Sequence, residues 1–180
     1  MSIKNQSGFS LIEVLISLVV LLVGLLGIIG MQLAAINNTE TARYNGIASI
    51  YASDFATRMR GNSGYWGTPP GSVSISNSTI TGGPAVSTAV CTQTAGTVCS
   101  FSQMAYYDLT QWGATLSAAL PAGTATLACN AAVSPAICTL TINWNEKNVA
   151  LTNPSGTETG VLASGTTSSH NFQTLVSIQP

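Results

Sequence analysis

Charge is what this chain has least of. Five Lys and Arg and six Asp and Glu in 180 residues make 6% charged side chains and a formal net charge of −1. Phosphate recognition needs a basic face, so this balance argues against a nucleic-acid binder. No polybasic segment points to anionic lipid. Histidine is nearly missing as well, with His170 alone. After Asn62 the other acid–base side chains are Asp108, Glu146, Lys147 and Glu158. Asp108 is expected to cap a helix, and Glu146-Lys147 to form a solvated turn between strands. A nucleophile–base–orienter set would have to rest on His170 in a Ser/Thr-rich loop. No G-x-S-x-G elbow and no glycine-rich phosphate cradle after a strand is present. The chain therefore reads as a non-enzyme with no evident small-molecule substrate. The four cysteines show no C-x-x-C spacing, and with one histidine they offer no zinc site, so no metal or cofactor is expected.

A long apolar run is what the chain does have. From Val14 to Thr39 there is no charged side chain, and Val14 to Met31 is almost unbroken in its hydrophobicity. About 20 apolar residues suffice to span a bilayer. A secretory signal has a shorter apolar core followed by a small-residue cleavage site; here the run continues into Gln32-Leu33-Ala34-Ala35-Ile36 without one. At its head stands one acid, Glu13. A carboxylate at the centre of a bilayer costs about 2.5–3.5 kcal/mol on insertion scales, so such a residue is a functional candidate whose partner must be found. The helix macrodipole returns only about 0.3–1 kcal/mol.

Lys4, Gly8, Phe9 and Glu13, followed by the apolar run, resemble the class III leader of type IV prepilins. The resemblance implies that a prepilin peptidase cleaves after Gly8 and methylates the new Phe9 amine, making Glu13 the fifth mature residue. It also implies polymerisation with major and minor pilins through the N-terminal helices, and handling by the pilus assembly machinery of the inner membrane. A neighbour's Phe9 amine then supplies the charge that Glu13 lacks. Leaving a buried charge without its partner costs about 3–5 kcal/mol, enough to make Glu13 a register key.

The helix is expected to outlast the membrane. Leu33, Ile36, Glu40, Tyr44, Ile47, Tyr51, Phe55 and Met59 recur at three- and four-residue steps, a mostly apolar stripe. Arg58 and Arg60 suit a last turn, and Gly61-Asn62 a stop. The division expected is 1–8 leader, 9–62 spine helix with a membrane and polymerisation part over about 9–36, and 63–180 head. Residues 61–105 are dense in turn formers; Ser72 to Ser76 alternates as a short strand, and Trp66 is expected to pack back onto its own domain. A second helix is expected over Leu109–Leu120, with Asp108 as N-cap and Leu109, Trp112, Leu116 and Leu120 facing inward. Strands follow at Thr124–Asn130, Ile137–Asn145 and Phe172–Gln179, with Gly156–Ser169 a polar loop. In the first, Ala125, Leu127 and Cys129 share one face; in the second, Cys138, Leu140, Ile142 and Trp144 do, so Cys129 and Cys138 sit on the same class of face in adjacent strands. The fold class is α+β: a long N-terminal helix packed on a small antiparallel sheet with a short second helix.

Cys91, Cys99, Cys129 and Cys138 all lie beyond the apolar run. An even number in an exported chain favours disulfides. Three pairings remain open. The local one, Cys91 with Cys99 and Cys129 with Cys138, is the simplest, and closing each loop is worth roughly 2–3 kcal/mol in the chain-entropy model.

Within the prepilin class, Ala56-Thr57-Arg58-Met59-Arg60-Gly61-Asn62, then Asp108, Trp112, Leu120-Pro121-Ala122-Gly123 and Leu140-Thr141-Ile142-Asn143-Trp144 resemble PilV-type minor pilins. Gly61 departs mildly from the alanine common there. The resemblance implies the type IV pilin fold and a minor subunit active in pilus assembly, with effects on adhesion or twitching motility. It implies a single-pass inner-membrane protein with a periplasmic head, then a place in the fimbrium at the cell surface. Two alternatives stay open: a minor pseudopilin of a type II secretion system, and a pilus-tip adhesin binding a receptor through its disulfide-closed loop.

Overall fold

The computed structural model describes residues 10–92, 98–130, 132, 133, 135–147 and 167–179, apart from the side chains of 30, 33, 34 and 37 within the first helix. Helix α1 runs Leu11–Gly61, and the four-residue turn α2 follows at Ser63–Trp66. Strands β1 (Ser72–Ser76) and β2 (Thr79–Thr81) form a hairpin. Then come helix α3 (Phe101–Ala119) and strands β3 (Thr124–Asn130), β4 (Ala136–Lys147) and β5 (Thr167–Ile178). The five strands make one antiparallel sheet in the order β2-β1-β3-β4-β5. This is the α+β architecture expected from the sequence.

Two compact units divide the chain, Met1–Glu40 and Thr41–Pro180. In the first, Leu11–Ile29 is long and apolar enough to cross a membrane. Its described side chains are exposed, Leu11 at 91% and Leu26 at 69%. Nothing in the unit covers them, as suits a segment whose solvent is lipid or another helix.

The second unit holds the core. On α1 the buried positions are Ala48, Ala52, Phe55, Ala56 and Met59, with Tyr44, Ile47 and Tyr51 half-buried beside them. The large residues of that stripe are the expected ones; the alanines between them let the helix approach closely. Phe55 meets Trp112 of α3 at 4.6 Å between ring centroids and Trp66 edge-on at 6.0 Å. Trp66 is 1% exposed, so this loop tryptophan does pack inward. The Trp112 Nε1–H donates to the Tyr51 carbonyl at 3.1 Å, which fixes α3 on α1 through a buried polar tip.

The strands follow their alternation. In β4 the residues Ala136, Cys138, Leu140, Ile142, Trp144 and Glu146 are all buried. Gly113 of α3 faces the turn of the β1–β2 hairpin. A methyl group there would collide with the Asn77 carbonyl and the Ile75 side chain, so α3 reaches the hairpin only because position 113 has none. Asn77 itself sits at φ 54, a left-handed conformation that asparagine tolerates.

Three expectations need correction. Helix α3 begins at Phe101, eight residues before Leu109, and its N-cap is Ser100. The Ser100 Oγ accepts from the Gln103 backbone N–H at 3.3 Å, while Gln103 Oε1 accepts from the Ser100 N–H at 2.8 Å. That reciprocal pair satisfies two of the helix's orphan donors. Asp108 therefore lies inside the helix and caps nothing. Strand β4 continues to Lys147, which puts Glu146 within a strand and not in a solvated turn. Strand β5 begins at Thr167, so Thr167, Ser168 and Ser169 belong to the sheet and not to the preceding loop.

Candidate functional site

Gly8 and Phe9 lie outside the described residues. Glu13 stands in the first turn of α1, where its negative charge suits the exposed helix N–H groups. Its backbone N–H donates to the Ser10 carbonyl at 3.0 Å. Ser17 Oγ donates back to the Glu13 carbonyl at 2.7 Å. Glu13, Ser17 and Leu21 recur every four residues, flanked by Val14 and Leu18, so they form one strip along the helix. The Glu13 carboxylate is exposed and has no hydrogen-bond or ion-pair partner among the described residues. A carboxylate on so apolar a segment is chemically incomplete among the described residues; a cation brought to it would complete it.

The cysteines are joined as Cys91–Cys99 and Cys129–Cys138. Cys129 and Cys138 are directly opposite in the β3–β4 register, so the bond ties two adjacent strands at one rung. Val90 and Val98, beside the other pair, are exposed, Val98 at 97%.

Sequence reasoning missed a polar cluster in the head. Glu146 is 3% exposed, at a position where β4 alternation points inward. Its Oε1 accepts from Trp144 Nε1–H at 2.7 Å, and its Oε2 from the Thr41 hydroxyl at 2.7 Å. His170 Nε2 lies 3.6 Å from Oε2 and 3.1 Å from Ser168 Oγ, and its ring stacks on Trp144 with centroids 6.0 Å apart. Two charge-assisted hydrogen bonds make such burial tolerable. The cluster ties the start of the soluble stretch of α1 to β4. Extending the inward parity of Trp144 by two residues would have placed Glu146 inward, though not its partners.

Asp108 has a second role that sequence did not show. It meets Arg58 Nη1 at 3.5 Å, while Arg58 Nε holds Asp54 at 2.9 Å. Burial pushes the Asp108 carboxyl above its ordinary pKa, and the Arg58 guanidinium pulls it back part of the way. The trio bridges α1 and α3. Among the described residues no group of three His, Cys, Asp or Glu stands close enough to hold a metal ion.

The family model for the prokaryotic N-terminal methylation motif matches residues 3–29. No curated protein and no solved structure matches the chain significantly. The matched span covers the leader, Glu13 in the first turn and the exposed apolar segment, and it marks membrane anchoring and a structural subunit processed by a prepilin peptidase. That motif, with a long N-terminal helix followed by a disulfide-bonded α+β head, makes the chain similar to type IV pilins and pseudopilins and supports a pilin-like substrate of prepilin peptidase.

Proposed function

We propose that this protein is a minor pilin of a type IV pilus, stored in the inner membrane and drawn into the filament through α1. The observation that carries the proposal is Glu13: one carboxylate without a partner among the described residues, held in the first helical turn of a segment whose other side chains suit lipid. Peptidase cleavage between Gly8 and Phe9 frees the amine, and N-methylation of Phe9 keeps it basic. The amine of one subunit meets Glu13 of the next, so a subunit out of register leaves both charges unpaired. On this reading 1–8 is the leader, 9–62 the spine helix and 63–180 the head. A single pass places the head in the periplasm before assembly and on the pilus afterwards. The PilV-type resemblance supports a part in pilus assembly or initiation, with effects on adhesion and twitching motility.

A type II secretion pseudopilin would share the leader and the helix. Exposed Val90 and Val98 beside the Cys91–Cys99 bond favour a further, narrower reading, in which this loop touches a receptor at the pilus tip.

Co-expression with a prepilin peptidase should lower the intact mass by Met1–Gly8 and raise it by one methyl group. Sheared surface pili should then contain the chain, and Glu13→Ala should insert into the membrane but be missing from the pili. An unchanged mass refutes the processing. Processed protein that never reaches sheared pili points to the secretion system, and normal incorporation of Glu13→Ala removes the register role.

A further inference from the structure

Strand β5 closes one edge of the sheet. Among the described residues it pairs only with β4, in unbroken register from Lys147↔Thr167 to Ala136↔Ile178. An edge strand offers a row of unpaired N–H and C=O groups, and proteins ordinarily blunt it with lysine, proline or a bulge. The β5 sequence Thr-Ser-Ser-His-Asn-Phe-Gln-Thr-Leu-Val-Ser-Ile contains no Lys, Arg, Asp, Glu or Pro. Leu175 is 70% exposed on it. Among the described residues, β5 carries no charged residue, proline or bulge against pairing.

A depression of about 240 Å³ runs beside it, with Ser49, Ala52, Ser53 and Arg60 of α1 on one wall and Thr174 and Leu175 of β5 on the other. Successive strand residues point to opposite faces of a sheet. A depression touching both Thr174 and Leu175 therefore follows the edge itself. A second one, about 320 Å³, continues past Arg60 to Ser177 and Gln179. The two meet at Arg60, so together they make a channel with small side chains along α1, a backbone edge opposite that is unpaired among the described residues, and a cation between its two halves. Arg58 has Asp54 and Asp108; Arg60 is exposed and has no acid among the described residues.

We infer that this channel receives an extended peptide strand bearing a carboxylate, which adds to β5 by backbone pairing and seats its acid on Arg60. Strand addition takes its affinity from main-chain hydrogen bonds and its specificity from side-chain pockets. The span from Phe172 to Ser177 accommodates about five or six residues at roughly 3.3 Å each. Charge decides the occupant. A second copy pairing through its own β5 sets no acidic side chain of that strand on Arg60, since β5 has none. A segment of a different filament subunit fits better; only that source rests on the pilin reading, and the edge and the cation do not.

The test uses the full disulfide-bonded chain in detergent micelles, so its outcome does not depend on pilus incorporation. The probe is a labelled acetyl-Val-Thr-Val-Thr-Val-Asp peptide with a free carboxyl end, compared with the same peptide ending in Asn-amide. Saturable binding is expected, with slowed amide exchange over residues 171–178. The amide peptide and Arg60→Glu should each weaken it about tenfold, as loss of a charge-assisted bond does, while Arg60→Lys should retain most of it. Leu175→Lys, an exposed edge substitution, should abolish it. Several results overturn the inference: no binding beyond that of empty micelles, equal affinity for the two peptides, or protection at β2 in place of β5. A peptide-free dimer with β5 already protected would assign the edge to a second copy and also overturn it.

Discussion

Glu146 puts a carboxylate where the alternation of β4 asks for an apolar side chain, and its neighbours explain why the strand tolerates it. Trp144, two residues earlier on the same face, needs an acceptor for its indole N–H, and Thr41 supplies a second donor. Glu146→Ala would remove the acceptor that both donors use and is expected to cost about 2–4 kcal/mol. Glu146→Gln keeps one acceptor and should cost less than half as much. Urea unfolding followed by tryptophan fluorescence measures both, and equal losses would mean that the charge itself is what matters. Asp108 behaves in the opposite sense. Its folded-state pKa is raised, chiefly by burial against the pull of Arg58. Between the ordinary and the raised value the folded protein binds more proton than the unfolded chain, so stability falls as pH rises through that interval and stays lower above it. Asp108→Asn should therefore unfold at a higher urea midpoint than the parent at pH 7, and the gap should close below the ordinary aspartate range. A lower midpoint at pH 7 would show that the contact with Arg58 outweighs the burial.

At the scale of elements, the sequence carried two rival signals for the start of α3. Ser100-Phe101-Ser102-Gln103 and Asp108-Leu109-Thr110-Gln111 both have the spacing of a capping box. The stripe that decides between them is Ala105, Leu109, Trp112 and Leu116, whose first member is a small residue and easily overlooked. Ser100→Ala is expected to cost about 0.5–2 kcal/mol, with amide exchange quickening first at Phe101–Met104. Loss of stability without that local fraying would place the effect elsewhere. The inward faces of β3 and β4 were legible because apolar and polar residues alternate strictly there. The start of β5 was not: Thr-Ser-Ser-His reads as a loop by composition, and only its pairing with the end of β4 makes it a strand. For the same reason the network at Glu146 and His170 stayed hidden, since it needs two strands in register before its members meet.

For the molecule as a whole, the placement of the apolar run was enough to forecast an anchor helix. Burial patterns supply what composition could not, namely that the core is built from alanines on α1 and three tryptophans, with sulfur bridging two strands. Replacing Cys129 and Cys138 together by Ala should lower stability by roughly 2–3 kcal/mol if loop closure is the main contribution. A much smaller loss would mean that the β3–β4 ladder already restrains the unfolded chain. The same bond also bears on a subunit under tension. Any pull that travels along the backbone from β3 into β4 crosses at one rung, through sulfur, and bypasses the turn between Cys129 and Cys138. The chain between the two cysteines carries no load and releases no slack, so a stretched head can lengthen here only by opening the rungs from Thr124↔Asn143 to Ala128↔Thr139.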